Sequence, residues 1–204
     1  IDGRTAMLNG ESQWITGAEA RADGHAWRAR ACAILTGIGT VLQDDPRMTV
    51  RDVATPRQPR RVIVDRHGQT PASARILEGS GALIVTNGER NSAWPVQVET
   101  LVLPDARGRV DLPAMMQALG ARGINELHVE AGARLNGALL EAGLVDELLL
   151  YVAPRVIGDP ARGSFERPAA LDVLADAAEF SWHDVQRIGA DLRLRLRRTE
   201  AAAA

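Results

Sequence analysis

The sequence contains no lysine: all 24 basic side chains among its 204 residues are arginines. This absence excludes enzymes that form a Schiff base through a lysine. It also excludes the phosphate-binding loop whose motif ends in lysine and a hydroxyl residue. Any phosphate that this chain binds must therefore be held by arginine side chains or by backbone amides.

Cysteine, long apolar runs and excess positive charge are scarce as well. Cys32 is the single cysteine, so no disulfide can form within one copy, and its apolar surroundings favour a small buried residue over a reactive thiol. No apolar run approaches the roughly 20 residues that cross a bilayer. The formal charge of −2 provides no positive field for nucleic acid or an anionic membrane, so we expect a small-molecule ligand.

The order of predicted elements is typical of an α/β protein with one domain over residues 1–204. Thr16 and Glu19 have the spacing of a capping box, which predicts a helix over 17–29, and strands then alternate with helices as in a mostly parallel sheet. The last two strands predict an antiparallel hairpin, so the sheet is mixed. The predicted strands cover 32–36, 61–65, 82–86, 99–104, 126–131, 145–154, 179–188 and 191–198, and the further predicted helices cover 37–46, 112–123, 133–143 and 171–175, with a loop at 158–163.

The last predicted strand alternates leucine with arginine from Leu192 to Arg197. Successive side chains of a strand point to opposite faces, so we expect one buried leucine face and one arginine face in solvent. An anion site or a subunit contact on the arginine face is the alternative.

The segment HVEAGARLNG is the most informative local feature. Glu130 stands at the carboxyl end of a predicted strand, and Gly132 begins the next helix. Ligands of α/β sheets bind at this edge, where amides at a helix N-terminus attract phosphate. A tight turn without a ligand is the alternative, because the spacing matches neither common nucleotide-binding motif. His128 and Glu130 match half of a zinc deaminase signature, but its cysteines are missing, so we expect no metal and interpret His128 as a sheet residue.

Polar residues of the N-terminal half are further candidates. Arg28, near the end of the first helix, and Arg51 suit bidentate phosphate binding, although solvated charges on helix faces are the alternative. Ser12 and Trp14, if the chain is extended there, point to the same side. Trp14 then offers a flat face to a nicotinamide or pyrimidine ring, or else it fills the core. Asp44 is a candidate for holding a cofactor hydroxyl.

Three long segments, with a later ARG, resemble the reductase domain of the bacterial bifunctional riboflavin-biosynthesis deaminase/reductase; they are DGRTAMLNGESQWIT, AILTGIGTVLQDDPRMTVR and HVEAGARLNGALLEAGLVDELLLYVAPRVIG. The resemblance implies a dihydrofolate-reductase-like three-layer fold and a cytoplasmic homodimer. It also implies that NADPH reduces 5-amino-6-(5-phosphoribosylamino)uracil to the ribitylamino compound. Because the chain starts at Ile1, we expect a zinc deaminase domain before it in the full-length protein.

The resemblance also assigns residues to the two ligands. Among the substrate positions, we assign Arg28 and Arg51 to the 5′-phosphate, because paired guanidinium groups form charge-assisted hydrogen bonds, and we expect Glu130, the candidate catalytic residue, to orient the reacting carbon. The substrate positions are Ser12, Arg28, Met48, Arg51 and Glu130, and the NADPH positions are Trp14, Thr40, Asp44, Gly132, Ala133, Arg134, Leu135, Asn136, Gly137 and Ala138. The alternatives are a related reductase of a diaminopyrimidinone or pterin, and a nucleotide-binding module without turnover.

Overall fold

The computed structural model describes residues 1–79, 81–158, 160–167 and 170–199, and the chain divides into two units. One unit is His25–Leu135, and the other combines Ile1–Gly24 with the residues from Asn136 onward. The single reductase domain over 1–204 stays a prediction. In chain order the elements are β1 Arg4–Ala6, α1 Ala18–Arg30, β2 Ala33–Gly37, α2 Ile38–Asp44, β3 Arg60–Val64, β4 Ala82–Thr86, β5 Glu99–Val102, α3 Leu112–Gly120, β6 Leu127–Val129, α4 Ala133–Glu141, β7 Glu147–Val152, β8 Arg162–Gly163, β9 Phe180–Ile188 and β10 Asp191–Arg198.

Five parallel strands form the sheet of the unit His25–Leu135, in the order β5, β4, β3, β2, β6. The three central strands are rich in Val, Ile, Leu and Ala, and most of their side chains are buried. Such continuous apolar runs are typical of parallel strands that are covered on both faces. Burial of each large aliphatic side chain stabilises the fold by roughly 1.5–3 kcal/mol. The stable sheet therefore fixes the positions of the residues that directly follow its strands.

The α/β prediction is confirmed, because the strands and helices expected between residues 17 and 143 are present with slightly shifted bounds. The first helix, expected over 17–29, is Ala18–Arg30, and the strand 82–86 is found as predicted. The β6 strand is shorter than expected. No helix among the described residues has the length and apolar character needed to cross a membrane.

Antiparallel strands dominate the other unit. β10 lies between β7 and β9, so the predicted C-terminal hairpin is confirmed. The loop expected over 158–163 is corrected, because Arg162–Gly163 pairs with β1; residue 159 of that loop lies outside the described residues. The helix expected over 171–175 is instead a short 3₁₀ turn at Leu174–Asp176. Elements of two or three residues carry too little periodicity to be predicted.

The exposure of Arg193 and Leu192 in β10 is the reverse of the prediction. The side chain of Arg193 is only 11% exposed, and its guanidinium pairs with Asp23 at 3.1 Å and with Asp184 at 3.0 Å. Leu192, on the other face, is 43% exposed. The predicted arginine face in solvent is therefore wrong for Arg193, whose guanidinium is held by ion pairs, whereas the side chain of Arg197 is 55% exposed.

Candidate functional site

The carboxyl ends of β2 and β6 lie side by side, because these parallel strands are neighbours in the sheet. Glu130 follows β6 directly. Its backbone N–H donates to the Leu35 carbonyl at 2.9 Å, and the hydroxyl of fully buried Thr36 donates to the Glu130 carbonyl at 2.8 Å. These two bonds to β2 fix the backbone of Glu130 at the sheet edge where the sequence predicts a ligand.

A bidentate ion pair holds the side chain of Glu130. Arg28 donates from Nε to Oε1 and from Nη2 to Oε2, both at 2.5 Å, and His128 Nε2 lies 3.2 Å from Oε1. Arg28 comes from the last turn of α1, and His128 lies in β6, two residues before Glu130. The carboxylate is thus oriented by side chains on a regular helix and strand.

The charges of this cluster keep Glu130 ionised. Burial alone would raise the pKa of its carboxyl, but hydrogen bonds from Arg28 and His128 outweigh burial and lower the pKa from 4.5 to about 2. Burial would likewise lower the pKa of Arg28, and the bond to Glu130 raises it instead. At neutral pH the pair is a guanidinium and a carboxylate, and a carboxylate can only accept hydrogen bonds.

His128 therefore does more than fill a place in the sheet, because it contacts the Glu130 carboxylate. Its motif with Glu130 matches half of a zinc deaminase signature. Within the described part of the chain, no three His, Cys, Asp or Glu side chains gather as they would around a metal ion. The observed partner of His128 is thus an ionised carboxylate.

Arg28 and Arg51 meet at Thr49, in the segment after α2. Arg28 Nη1 donates to the Thr49 carbonyl at 3.2 Å, and Arg51 Nη1 donates to the Thr49 hydroxyl at 3.4 Å. Arg51 is exposed, whereas the side chain of Arg28 is only 17% exposed. The two arginines selected from the sequence therefore converge, with Arg51 as the more accessible guanidinium.

His25 supports the same segment, although the sequence analysis did not select it. Its buried Nδ1 accepts a 3.4 Å hydrogen bond from the Arg51 N–H, and its Nε2 lies 3.3 Å from Asp52 Oδ2. Burial lowers the pKa of His25, the charge of Arg28 lowers it further, and Asp52 partly opposes them. The neutral imidazole is thereby favoured. The signal in the sequence was spacing: His25 and Arg28 lie three residues apart on a helix and share a face.

Met48, expected at the substrate, contributes its side chain to the hydrophobic core. It is 5% exposed and packs in a cluster that includes Ile34 and Val41. Its backbone adopts the left-handed conformation, with φ of 49°, and so turns the chain just before Thr49. A substrate contact at this position must therefore come from the backbone, while the side chain anchors the segment that carries Arg51.

Several positions expected at the cofactor lie in the helices that follow β2 and β6. Thr40 is half-buried in α2, and Asp44 is exposed at its last residue. The run Gly132–Leu135 forms the start of α4. Gly132 is exposed, and a Cβ at this position would meet no atom within 4 Å, so the turn leaves open space beside the first turn of α4. This space suits an anionic group, because backbone N–H groups point outward at a helix N-terminus.

Ser12 and Trp14 lie in the other unit. Ser12 is exposed in a turn closed by a 3.1 Å bond from the Ile15 N–H to the Ser12 carbonyl, so the condition that the chain is extended here is not met. Trp14 is 59% exposed, and the Arg21 guanidinium lies 4.2 Å from the centre of its ring. Trp14 is therefore not a core residue, and the contact is a cation–π interaction.

The last three predicted cofactor positions also lie in that unit, within α4. Asn136 Nδ2 donates to the Ser164 carbonyl at 3.2 Å. A Cβ on Gly137 would lie 1.9 Å from the carbonyl oxygen of Glu166, so no side chain fits there. Ala138 is half-buried. Close backbone packing thus explains the glycine at position 137, a cause that the sequence pattern does not distinguish from ligand binding.

Comparison with known proteins adds to this geometry. Residues 1–194 match the family described as RibD C-terminal domain. The chain is 43% identical over 209 residues to the riboflavin biosynthesis protein RibD of Escherichia coli (strain K12), and this match covers 96% of the chain and 57% of that protein. It is 29% identical over 201 residues to the 5-amino-6-(5-phosphoribosylamino)uracil reductase of Buchnera aphidicola subsp. Acyrthosiphon pisum (strain APS), which covers 92% of the chain and 97% of that protein.

A solved structure shares the fold. Form 1 of Acinetobacter baumannii RibD superposes with a TM-score of 0.86 at 38% identity, over 97% of this chain and 55% of that one. The dihydrofolate-reductase-like fold implied by the resemblance is thereby confirmed. The chain spans somewhat more than half the length of the RibD proteins that it matches.

Proposed function

Because the chain belongs to the RibD C-terminal domain family, we propose that it is the NADPH-dependent reductase of 5-amino-6-(5-phosphoribosylamino)uracil in riboflavin biosynthesis. The observation that carries this proposal is the cluster of Glu130, Arg28 and Arg51 at the carboxyl edge of β2 and β6. A fixed carboxylate close to an exposed guanidinium suits a ligand with both hydroxyl and phosphate groups, as a phosphorylated sugar has.

The substrate residues divide between the two ends of the sugar phosphate. Arg51 supplies the accessible guanidinium for the 5′-phosphate, and Arg28, which is paired with Glu130, borders the same segment at Thr49. Glu130 accepts a hydrogen bond from the sugar, and the backbone at Met48 lines the same segment. Ser12, assigned by the family resemblance alone, stays a prediction that its substitution to alanine must test.

A reductase of this family implies a nicotinamide cofactor, and NADPH is the form that we propose. The open turn at Gly132 and the first amides of α4 support binding of its pyrophosphate. Thr40 and Asp44 follow β2 at the same edge, and Asp44 is exposed for a ribose hydroxyl. Trp14 and the run 136–138 stay predictions of the resemblance.

The chemistry needs little from the protein beyond position. When bound, NADPH would supply a hydride to C1′ of the substrate in its ring-opened imine form. Arg51 holds the phosphate end, and Glu130 holds the sugar chain, so C1′ is kept in one place. Orienting two bound reactants contributes up to ~7–11 kcal/mol to lowering a barrier.

Loss of NADPH absorbance on addition of the substrate tests this function. We expect the absorbance to fall only when 5-amino-6-(5-phosphoribosylamino)uracil is present. Faster turnover of the 2,5-diaminopyrimidinone analogue would instead assign the chain to a related reductase. NADPH binding without absorbance loss with either compound would identify a nucleotide-binding module. The assay should include the full-length protein, because the RibD relatives are longer than this chain.

We also propose that the chain forms a homodimer through one apolar sheet face. Cross-strand pairing brings eight apolar side chains of β7, β9 and β10 to this face, together with exposed Arg187 opposite Leu192, and none of the eight is buried. This leucine face consists of Leu148, Leu150, Val152, Trp182, Val185, Leu192, Leu194 and Leu196. Trp182 is 67% exposed and Val185 is 54% exposed. A largely apolar surface of this kind is typical of an interface, and the match of one apolar face to another favours a second copy as the occupant.

The mass in solution tests the homodimer. Trp182→Glu introduces a charge into the proposed contact and should convert a dimer into a monomer, as light scattering at several concentrations would measure. Val96→Glu is the matched control, because Val96 is a 95% exposed apolar residue of the other unit. A wild-type monomer, or a dimer that survives Trp182→Glu, would refute the assignment.

Two further expectations belong to this function. The greater length of the RibD relatives is consistent with a zinc deaminase domain fused to this chain in the full-length protein. A cytoplasmic location follows if the chain works as an NADPH-dependent biosynthetic enzyme. The mass and zinc content of the native protein and its distribution between cell fractions test these two expectations.

A further inference from the structure

The contacts of Glu130 indicate a role in substrate binding and not in proton transfer. We propose that Arg28 and His128 are positioning residues that hold Glu130 as a fixed carboxylate. In this state Glu130 accepts a hydrogen bond from the sugar chain of the substrate and does not donate the proton of the reduction. The inference rests on the proposed function and deepens it. It also gives a role to His128, which the sequence pattern alone leaves as a sheet residue.

Both oxygens of the Glu130 carboxylate are held from the protein side. Arg28 contacts Oε1 and Oε2, His128 contacts Oε1, and the backbone of Glu130 is bonded to Leu35 and Thr36. A carboxylate has about four acceptor positions, so these three contacts leave room for a donor from a ligand. The side chain is 28% exposed, which makes the remaining acceptor position accessible.

The surrounding charges favour the anion. Arg28 faces Glu130 from α1 and His128 faces it from β6, and the other titratable groups nearby are His25, Asp52 and Arg51. Asp52 is the one acid among them, and its side chain is 53% exposed. A carboxylic acid that donates a proton near neutral pH needs apolar or negatively charged surroundings, which are the opposite of these.

The proton balance of the reduction then excludes Glu130 as the source. Reduction of the imine adds a hydride to C1′ and a proton to the adjacent nitrogen, so the C=N double bond becomes a single bond and NADPH becomes NADP⁺. Because Glu130 is held as a carboxylate, the proton that reaches the nitrogen comes from another donor, either water or a different side chain. Glu130 contributes by holding the sugar hydroxyl, and hence C1′, in a constant position.

Titration of the Glu130 carboxyl by ¹³C NMR tests the positioning role without turnover, with Glu130→Gln to assign the resonance. In the wild type we expect the resonance to stay that of a carboxylate down to about pH 4. Its titration should move to higher pH in Arg28→Gln and in His128→Leu, but not in Arg30→Gln. Arg30 is the control, because it pairs from the same helix turn with exposed Glu126 at 2.8 Å. An unchanged titration in both test variants would overturn the proposal.

The pH dependence of kcat/KM tests what the carboxylate does. If Glu130 is an acceptor, the rate of His128→Leu falls on the acid side and returns to within about threefold of wild type at alkaline pH, where the carboxylate is ionised in both. His128→Gln keeps a hydrogen-bond donor and should restore the acid side. A merely structural role would lower the rate equally at all pH values. Two results together would identify Glu130 as the proton donor and overturn the proposal. The wild-type kcat/KM would decrease toward alkaline pH, and this decrease would be absent in Glu130→Gln.

The two experiments distinguish a failure of the proposed role of Glu130 from a failure of the proposed reductase function. Absence of wild-type turnover would refute the proposed reduction, whereas the NMR titration reports on Glu130 in either case. Addition of substrate without NADPH should perturb the Glu130 resonance and leave it that of an anion. Protonation of Glu130 on substrate binding, or no perturbation at all, would contradict the acceptor role.

Discussion

Arg28 and Glu130 are joined by two hydrogen bonds of 2.5 Å across a sequence separation of 102 residues. The pair connects the last turn of α1 with the residue that follows β6, and through Thr49 it also reaches the segment of Arg51. One guanidinium therefore orients the carboxylate of the candidate site and borders the proposed phosphate position. This dual contact makes the site sensitive to acid and to single substitutions.

Acid should weaken the fold through Glu130. Because its pKa is lowered from 4.5 to about 2 in the folded chain, its contribution to stability is complete above pH 4.5 and is lost as the pH falls toward 2. Glu130→Gln lacks this contribution. The difference in unfolding free energy between wild type and variant, from urea unfolding at each pH, should therefore shrink on acidification. A difference that is constant with pH would contradict the low pKa.

His25 should produce a second pH dependence at higher pH. Its pKa is lowered from 6.5 in the folded chain, so its neutral form contributes stability above pH 6.5 that is lost as the pH falls below this value. His25→Phe should be less stable than wild type at pH 8. The difference in unfolding free energy between the two proteins should decrease toward pH 5. Exposed His183→Gln is the control, and an equal pH response in both variants would contradict the prediction.

Substitution of Arg51 should separate the two ligands. Arg51→Ala removes the accessible guanidinium of the site and should raise the KM for the phosphorylated substrate roughly tenfold or more, while the Kd for NADPH is unchanged. Arg47→Ala is the matched control, because Arg47 is similarly exposed and pairs with Glu78 at 3.5 Å. Equal weakening of both ligands by Arg51→Ala would argue against a phosphate role.

Substitutions of Gly137 and Gly132 should have different effects, the first on stability and the second on NADPH binding. A Cβ at position 137 would overlap the Glu166 carbonyl oxygen, so Gly137→Ala should destabilise the fold by about 1–3 kcal/mol or more, as thermal unfolding measures. Position 132 is open, so Gly132→Val should leave the Tm nearly unchanged and abolish NADPH binding, as titration calorimetry measures. Normal NADPH affinity in a stable Gly132→Val would reject the pyrophosphate site.

The sequence predicts much of the fold because its signals are local. Buried strands such as Ala82–Thr86 are short apolar runs, and the spacing of Thr16 and Glu19 predicts the start of α1 to within one residue. Glu130 and Arg51 were selected for similar reasons, since the first follows a predicted strand and the second belongs to a distinctive motif.

Other features depend on contacts between distant residues, and no local pattern reports them. Met48 is apolar in a motif expected at the substrate, and only the cluster with Ile34 and Val41 explains its burial. The covered face of β10 depends on Asp23, which lies 170 residues away from Arg193. The spacing of His25 and Arg28 places both on one helix face, but the partners of His25, the Arg51 N–H and Asp52, lie in a distant segment that this spacing does not identify.

The unit that contains β10 is assembled from the two ends of the described chain. The Gly17 N–H donates to Asp191 Oδ2 at 2.7 Å, across 174 residues, whereas the unit His25–Leu135 is one continuous segment. During synthesis the continuous segment can form its sheet first. Residues 1–24 can pack only after the later strands β7, β9 and β10 have been synthesised. Pulsed hydrogen exchange during refolding should therefore protect amides of β2 to β4 before those of β10, and the reverse order would disprove this sequence of events.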